Sequence, residues 1–121
     1  MHSTKRVAVI TRTKNRPLLL DRARLSVTGQ SLTDLVWIIV NDGGDRDHVE
    51  AIATAARSAG TEVQVVHHDV SRGMEAATNA GLAAAPSDYV TIHDDDDSWD
   101  RDFLRETVGF LDSAPGYGGV T

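Results

Sequence analysis

Four consecutive aspartates, Asp94, Asp95, Asp96 and Asp97, carry the plainest chemistry in this sequence. Carboxylates set side by side repel one another unless a cation neutralises them, and an all-oxygen donor set suits a hard divalent ion such as Mg2+ or Mn2+. The fit improves when a ligand diphosphate completes the ion's shell. The plainer alternative is a solvated acidic loop that stabilises the N-terminus of the following helix through its dipole. Asp100 and Asp102 extend the cluster to six acidic residues in nine positions, equal in size to the whole formal net charge of -6. The remainder of the chain is near balance, so the acidity is local. No basic stripe with interleaved aromatics is present to engage nucleic acid.

Other polar residues carry weaker signals. Asp42, within Asn41-Asp42-Gly43, could bond a base or ribose, although the same tripeptide is ordinary turn chemistry. Lys14, Arg16 and Arg72 could meet phosphates or could simply be solvated. His93, directly before the aspartates, could be a ligand, although a strand-terminal His is more often structural; His67 and His68 say little, and Trp37 and Tyr89 read as core rather than as stacking platforms.

The elements that must position these residues follow from hydrophobic patterning. Lys5 to Thr11 reads as a short buried strand, followed by a polar loop from Arg12 to Arg16. Pro17 opens a helix that runs to Gly29. Leu35 to Val40 is a second strand ending in the turn Asn41 to Gly44. Asp47 to Ala59 is helical and closed by Gly60, and Glu62 to His67 is a third strand. A third helix spans Gly73 to Ala85 and stops at Pro86. Tyr89 to His93 forms the fourth strand, and a further helix opens near Trp99, with Asp100 as N-cap and Trp99 and Leu104 as a hydrophobic staple. Gly118 to Thr121 would be the beginning of a fifth strand that is then cut off.

Strands alternating with helices predict a three-layer α/β/α domain, spanning 1–121, with a mostly parallel sheet. Ligands of such sheets bind beyond the carboxyl ends of the strands. The polar loops 12–16, 41–44, 68–73 and 94–97 all follow strands and should converge on that one edge. This placement favours the metal-diphosphate reading of the aspartates over the solvated loop.

The bulk properties agree with one soluble domain. The chain has 121 residues, 40% hydrophobic and 25% charged, and no cysteine, which removes disulfides and thiolate metal sites. No run approaches a membrane span, and the apolar stretch after the N-terminus is too short for a signal peptide, so a cytoplasmic protein is expected. Several nucleotide-binding signatures are absent: the first loop has no glycine for a dinucleotide fingerprint, and neither a P-loop nor a nucleophile elbow occurs.

The segments Val7 to Arg16, Ile38 to Gly43, Ser71 to Leu82 and Tyr89 to Trp99 together resemble the family-2 glycosyltransferases of the GT-A fold, a Rossmann-like half. Each match is weak alone, but the four occur in the right order at the right spacing, and the resemblance runs from Val7 to Thr121. It implies that Arg12, Thr13 and Arg16 line the nucleotide pocket, that Asp42 contacts the base, and that Arg72 and Gly73 border the pocket. Asp94-Asp95-Asp96 would be the Asp-x-Asp motif, with Asp96 the direct metal ligand together with Asp94, and Asp95 near the ribose. Asn41 stands where the family often has the first of two aspartates, and Arg12 and Lys14 replace common Pro and Tyr.

The implied activity is inverting transfer of a sugar from a nucleoside-diphosphate donor to a glycan, lipid or small-molecule acceptor, assisted by Mg2+ or Mn2+. The family's general base lies well beyond the Asp-x-Asp motif, so it is expected beyond Thr121, in an acceptor half that this chain lacks. A truncated sheet would leave an exposed edge open to self-association. A non-catalytic nucleotide-sugar-binding module is the alternative. A sugar-nucleotide pyrophosphorylase would need a glycine-rich first loop, which is absent here.

Overall fold

The computed structural model describes residues 5–68, 76, 79, 80, 83, 87–94 and 98–113. Its elements run β1 (Lys5–Thr13), α1 (Pro17–Thr28), β2 (Leu35–Asp42), α2 (Arg46–Ser58), β3 (Glu62–His68), β4 (Ser87–Ile92) and α3 (Phe103–Ser113). The expected α/β architecture is observed. The strands form one sheet in the order β3-β2-β1-β4, and every neighbouring pair is parallel.

The strands are apolar on both sides because both faces of the sheet are covered. On one face Val7, Val9, Leu35, Trp37, Ile39 and Val63 pack against α1, α2 and α3, which contribute Leu20, Ala23, Val27, Ile52, Ala56, Leu104 and Val108. On the other face Ala8, Ile10, Val36, Ile38 and Val40 form a second buried cluster. The steps β1 to β2 and β2 to β3 move the same way across the sheet, so right-handed crossovers put α1 and α2 on one side. The step to β4 runs in the opposite direction. The same rule assigns the helical residues Ala76, Asn79, Ala80 and Ala83 to the second face. The rest of the expected helix 73–85 lies outside the described residues, as does the expected fifth strand.

Several boundaries differ from expectation. β4 begins earlier, at Ser87, and ends at Ile92, one residue short of His93. β1, β2 and β3 are longer at their carboxyl ends. Arg12 and Thr13 lie in β1, Asn41 and Asp42 in β2, and His68 in β3, rather than in loops. Cross-strand pairing draws them in, with Thr13 opposite Asn41, Asn41 opposite His67 and Asp42 opposite His68. The last helix also starts later. Asp100 does not cap it with its side chain. The Asp102 carbonyl accepts from Glu106 N at 2.9 Å, which places Asp102 at the cap position.

The cap of α3 comes from far away in sequence. Gln30 Oε1 accepts from the Leu104 amide at 3.0 Å, while its Nε2 donates to the Asp100 carbonyl at 2.7 Å and the Ser26 carbonyl at 3.2 Å. Trp99 stacks on Phe103, at 4.6 Å between ring centroids, and both pack against the core cluster that contains Leu104. Because Gln30 is buried and satisfies groups on two elements, Gln30→Leu should cost about 2 kcal/mol, chiefly through the orphaned Leu104 amide and Asp100 carbonyl. Urea unfolding of the variant measures this.

Candidate functional site at the carboxyl edge of the sheet

All four strands are parallel, so their carboxyl ends share one edge. The chain steps from β1 outward to β2 and β3, then returns to the far side of β1 for β4. This reversal makes the β1/β4 boundary the topological switch point of the sheet, the place where ligands of such sheets bind beyond the carboxyl ends of the strands. Thr13 and the segment to Arg16 lie on one side of it, and His93 and Asp94 on the other. The ladder continues one step past β4, since His93 N donates to the Ile10 carbonyl at 3.0 Å.

The β1 side is firmly set. Thr11 and Thr13 are buried, and Trp37 Nε1 donates to Thr11 Oγ1 at 2.9 Å, which supplies the partner a buried indole needs. Arg12 is half-buried and Lys14 and Arg16 are exposed. The Arg16 carbonyl accepts from Leu20 N at 2.9 Å, so Arg16 sits at the N-terminus of α1.

Asp42 is fully buried at the end of β2. Its Oδ2 accepts from Arg12 Nε at 3.1 Å, with Arg12 Nη2 also 3.1 Å away, and its Oδ1 lies 3.3 Å from His68 Nδ1. A carboxylate can remain inside the protein only with such charged and hydrogen-bonding partners. The structure therefore brings Arg12, Asp42 and His68 together from three strands.

A second knot fixes the neighbouring loops. Asn41 Oδ1 accepts from Gly44 N at 2.9 Å, and its Nδ2 donates to the Gly44 carbonyl at 3.0 Å and to His67 Nδ1 at 3.0 Å. An amide NH2 only donates, so His67 Nδ1 is the acceptor, which leaves Nε2–H to donate to Glu50 Oε1 at 2.9 Å. From the first loop, Asn15 Oδ1 accepts from Asp45 N at 2.9 Å. Asn15 adopts φ 53°, a left-handed conformation that Asn tolerates better than most residues. Asp45 then caps α2, its Oδ1 accepting from Asp47 N at 2.8 Å.

Gly44 is wedged between these asparagines. A Cβ there would lie 2.7 Å from Asn15 N and 2.8 Å from Asn41 Oδ1. Gly44→Ala should therefore displace both loops at a cost of about 1–3 kcal/mol, read as a lower urea midpoint with an unchanged slope.

On the β4 side, His93 is buried and structural, as its position suggested. Its Nδ1 donates to the Asp94 carbonyl at 2.7 Å, its Nε2 lies 3.1 Å from Ser26 Oγ, and its ring meets Trp99 edge-on at 4.3 Å. Ser26 Oγ also accepts from Trp99 N at 2.8 Å. The backbone on both sides of the aspartate run is thus anchored to α1. Asp94 is half-buried just beyond the end of β4. Asp95, Asp96, Asp97, Arg72 and Gly73 lie outside the described residues. Among the described residues, no cluster of three or more His, Asp or Glu could hold a metal, and no helix is long and apolar enough to cross a membrane.

Of the expected site residues, Arg12, Thr13, Arg16, Asp42 and Asp94 stand on this one edge. The sequence reading did not single out Asn15, Asp45 or the pairing of His68 with Asp42. Asn15 and the Asn41-x-x-Gly44 spacing carried a turn signal that could have flagged the knot. The His68 contact depends on strand register and had no local signal.

The comparisons with known proteins agree with this architecture. The model of the glycosyl transferase family 2 matches residues 8–119. An uncharacterized glycosyltransferase of Nostoc sp. is 30% identical over 103 residues, covering 85% of this chain and 32% of that protein. A mannosyltransferase from Pyrobaculum calidifontis, solved in complex with GDP-Man and Mn2+, superposes with a TM-score of 0.80 at 26% identity, covering 90% of this chain and 33% of that one. TarS of S. aureus in complex with UDP superposes equally well, with a TM-score of 0.80 at 22% identity over 89% of this chain and 32% of that one. The chain thus spans about a third of the length of these relatives. It belongs to glycosyl transferase family 2 and has the Rossmann-like GT-A fold.

Proposed function

We propose that this chain binds a nucleoside-diphosphate sugar at the carboxyl ends of β1 and β4, as the donor-binding part of an inverting glycosyltransferase. The observation that carries the reading is the switch point itself, in a member of this family. The half-buried and exposed cations Arg12 and Arg16 belong to the β1 end, and Asp94, which begins the aspartate run, follows the β4 end beside it. Arg12 and Thr13 would form the base end of the pocket, with Asp42 buried behind Arg12 rather than open to the base as the resemblance implied, and Arg16, Arg72 and Gly73 would border the nucleotide. Asp95 would meet the ribose.

Asp94 and Asp96 would hold Mg2+ or Mn2+, and their all-carboxylate chemistry fits such an ion. When bound, the ion would offset charge on the departing diphosphate. The chain's own contribution is to fix the donor so that an acceptor hydroxyl can attack the anomeric carbon in line, opposite the leaving group. The acceptor, a glycan, lipid or small molecule, and the base that deprotonates it are not assigned to residues of this site.

Thermal unfolding tests the donor-binding claim. A nucleoside diphosphate at about 100 times its Kd, with Mn2+ present, should raise the midpoint by about 8 °C, because it binds only the folded chain. The corresponding nucleoside, which lacks the diphosphate, should raise it far less. Equal shifts would remove the diphosphate from the reading.

A further inference from the structure

The Arg12–Asp42 pair presents itself to solvent unequally. The Asp42 side chain is 0% exposed, whereas that of Arg12 is 31% exposed. A ligand reaching this edge of the sheet therefore meets the guanidinium before the carboxylate. The contacts also fix which side of the guanidinium is engaged. Nε and Nη2 face Asp42 Oδ2, both at 3.1 Å. The end of the fork bearing Nη1 and the second Nη2 hydrogen is directed away from Asp42.

That fork is rigid and planar and matches two neighbouring in-plane acceptors. Guanine offers such a pair in O6 and N7, and uracil offers the single carbonyl O4. Adenine and cytosine place an amino donor at the equivalent position, where it would face the guanidinium hydrogens. A phosphate also fits a fork in shape. Here, however, the buried carboxylate already balances the charge of Arg12, which weakens the attraction for an anion while leaving the directed N–H groups intact.

On the donor-binding reading above, we propose that Arg12 is the base-reading residue of this site. It selects a base with a carbonyl on the edge it reads, guanine foremost. Asp42 acts as a positioning residue that holds the guanidinium in place.

Calorimetric titration of the chain with GDP, UDP, CDP and ADP in the presence of Mn2+ tests the proposal. GDP and UDP should bind more tightly than CDP and ADP, with GDP ahead of ADP by about tenfold or more. Arg12→Lys keeps a cation beside Asp42 but loses the planar fork, and should bring GDP and ADP to within about twofold while leaving the dependence on Mn2+ intact. Asp42→Asn, which releases the guanidinium, should narrow the same ratio. Equal, Mn2+-dependent binding of all four nucleotides would overturn the base-reading role and leave donor binding standing. A ranking that survives in Arg12→Lys would also overturn it. Failure of all four to bind would remove the donor-binding reading and this one together.

Discussion

Arg12→Ala is expected to destabilise the chain by about 3–5 kcal/mol, the range for removing one partner of a buried ion pair. Asp42 cannot reach water from its place at the end of β2, so the charge that Arg12 balances would be left inside the protein. Domains of this size are stable by about 5–15 kcal/mol, so the loss would be a large share of the total. The reverse substitution should be milder. Asp42→Asn leaves a partly exposed guanidinium that can still turn to solvent, and its expected cost is about 1 kcal/mol. The double variant Arg12→Ala/Asp42→Asn should recover most of the loss, since a neutral amide needs no cation. Urea unfolding of all three variants decides the matter. Equal costs for the two single substitutions, with no recovery in the double, would show that Asp42 does not depend on Arg12 for its burial.

Asp96→Ala is expected to weaken metal-assisted nucleotide binding by more than about 100-fold. Loss of an outer-shell partner already costs a metal site about 10- to 100-fold, and a direct carboxylate ligand matters more. The effect should be confined to binding with Mn2+ present. Without the ion, the variant and the parent chain should bind a nucleoside diphosphate alike, because the substitution then removes no contact to the base or the ribose. Asp97→Ala, one residue on, lies outside the Asp-x-Asp motif and should change metal-assisted binding much less. Titration of the three proteins with and without Mn2+ separates the possibilities. Similar losses for Asp96→Ala and Asp97→Ala would mean that the run acts through bulk negative charge and not through a defined ligand.

The sheet and its order of elements were legible because the signals are local. Val7 to Ile10 and Leu35 to Val40 are unbroken apolar runs, Pro17 opens α1, and Gly60, at φ 95°, follows the cap of α2. The convergence of the loops followed from the parallel arrangement alone. What the sequence concealed depends on partners distant along the chain. Arg12, Thr13, Asn41, Asp42 and His68 have polar side chains and loop-like neighbours, yet strand pairing across the sheet incorporates all of them. No local propensity encodes such pairing.

The same reason accounts for the last helix. Asp100 lies near its start and is a good capping residue by type, but Gln30 satisfies the first free amide from 74 positions away. Strand order was hidden as well. Only the pairing of β4 with the far side of β1 shows that the end of β4, with His93 and Asp94, lies beside the end of β1 and not beyond β3. The knot around Gly44 was half legible, since Asn41 and Gly44 carry a turn signature while Asn15 reaches them from another loop.

The central claim is that one metal-diphosphate site lies at the carboxyl edge of this sheet, between β1 and β4. Nuclear magnetic resonance with paramagnetic Mn2+ tests its position most directly. With a nucleoside diphosphate and sub-stoichiometric Mn2+, the amide signals of Thr13, Lys14, Asn15 and Asp94 should broaden first, followed by those of Asp42 and Gly43. The signals of Leu35, Gly60 and Glu62, at the opposite edge, should stay sharp. Broadening centred on the opposite edge, or spread evenly over the exposed carboxylates of α2 and α3, would contradict the account.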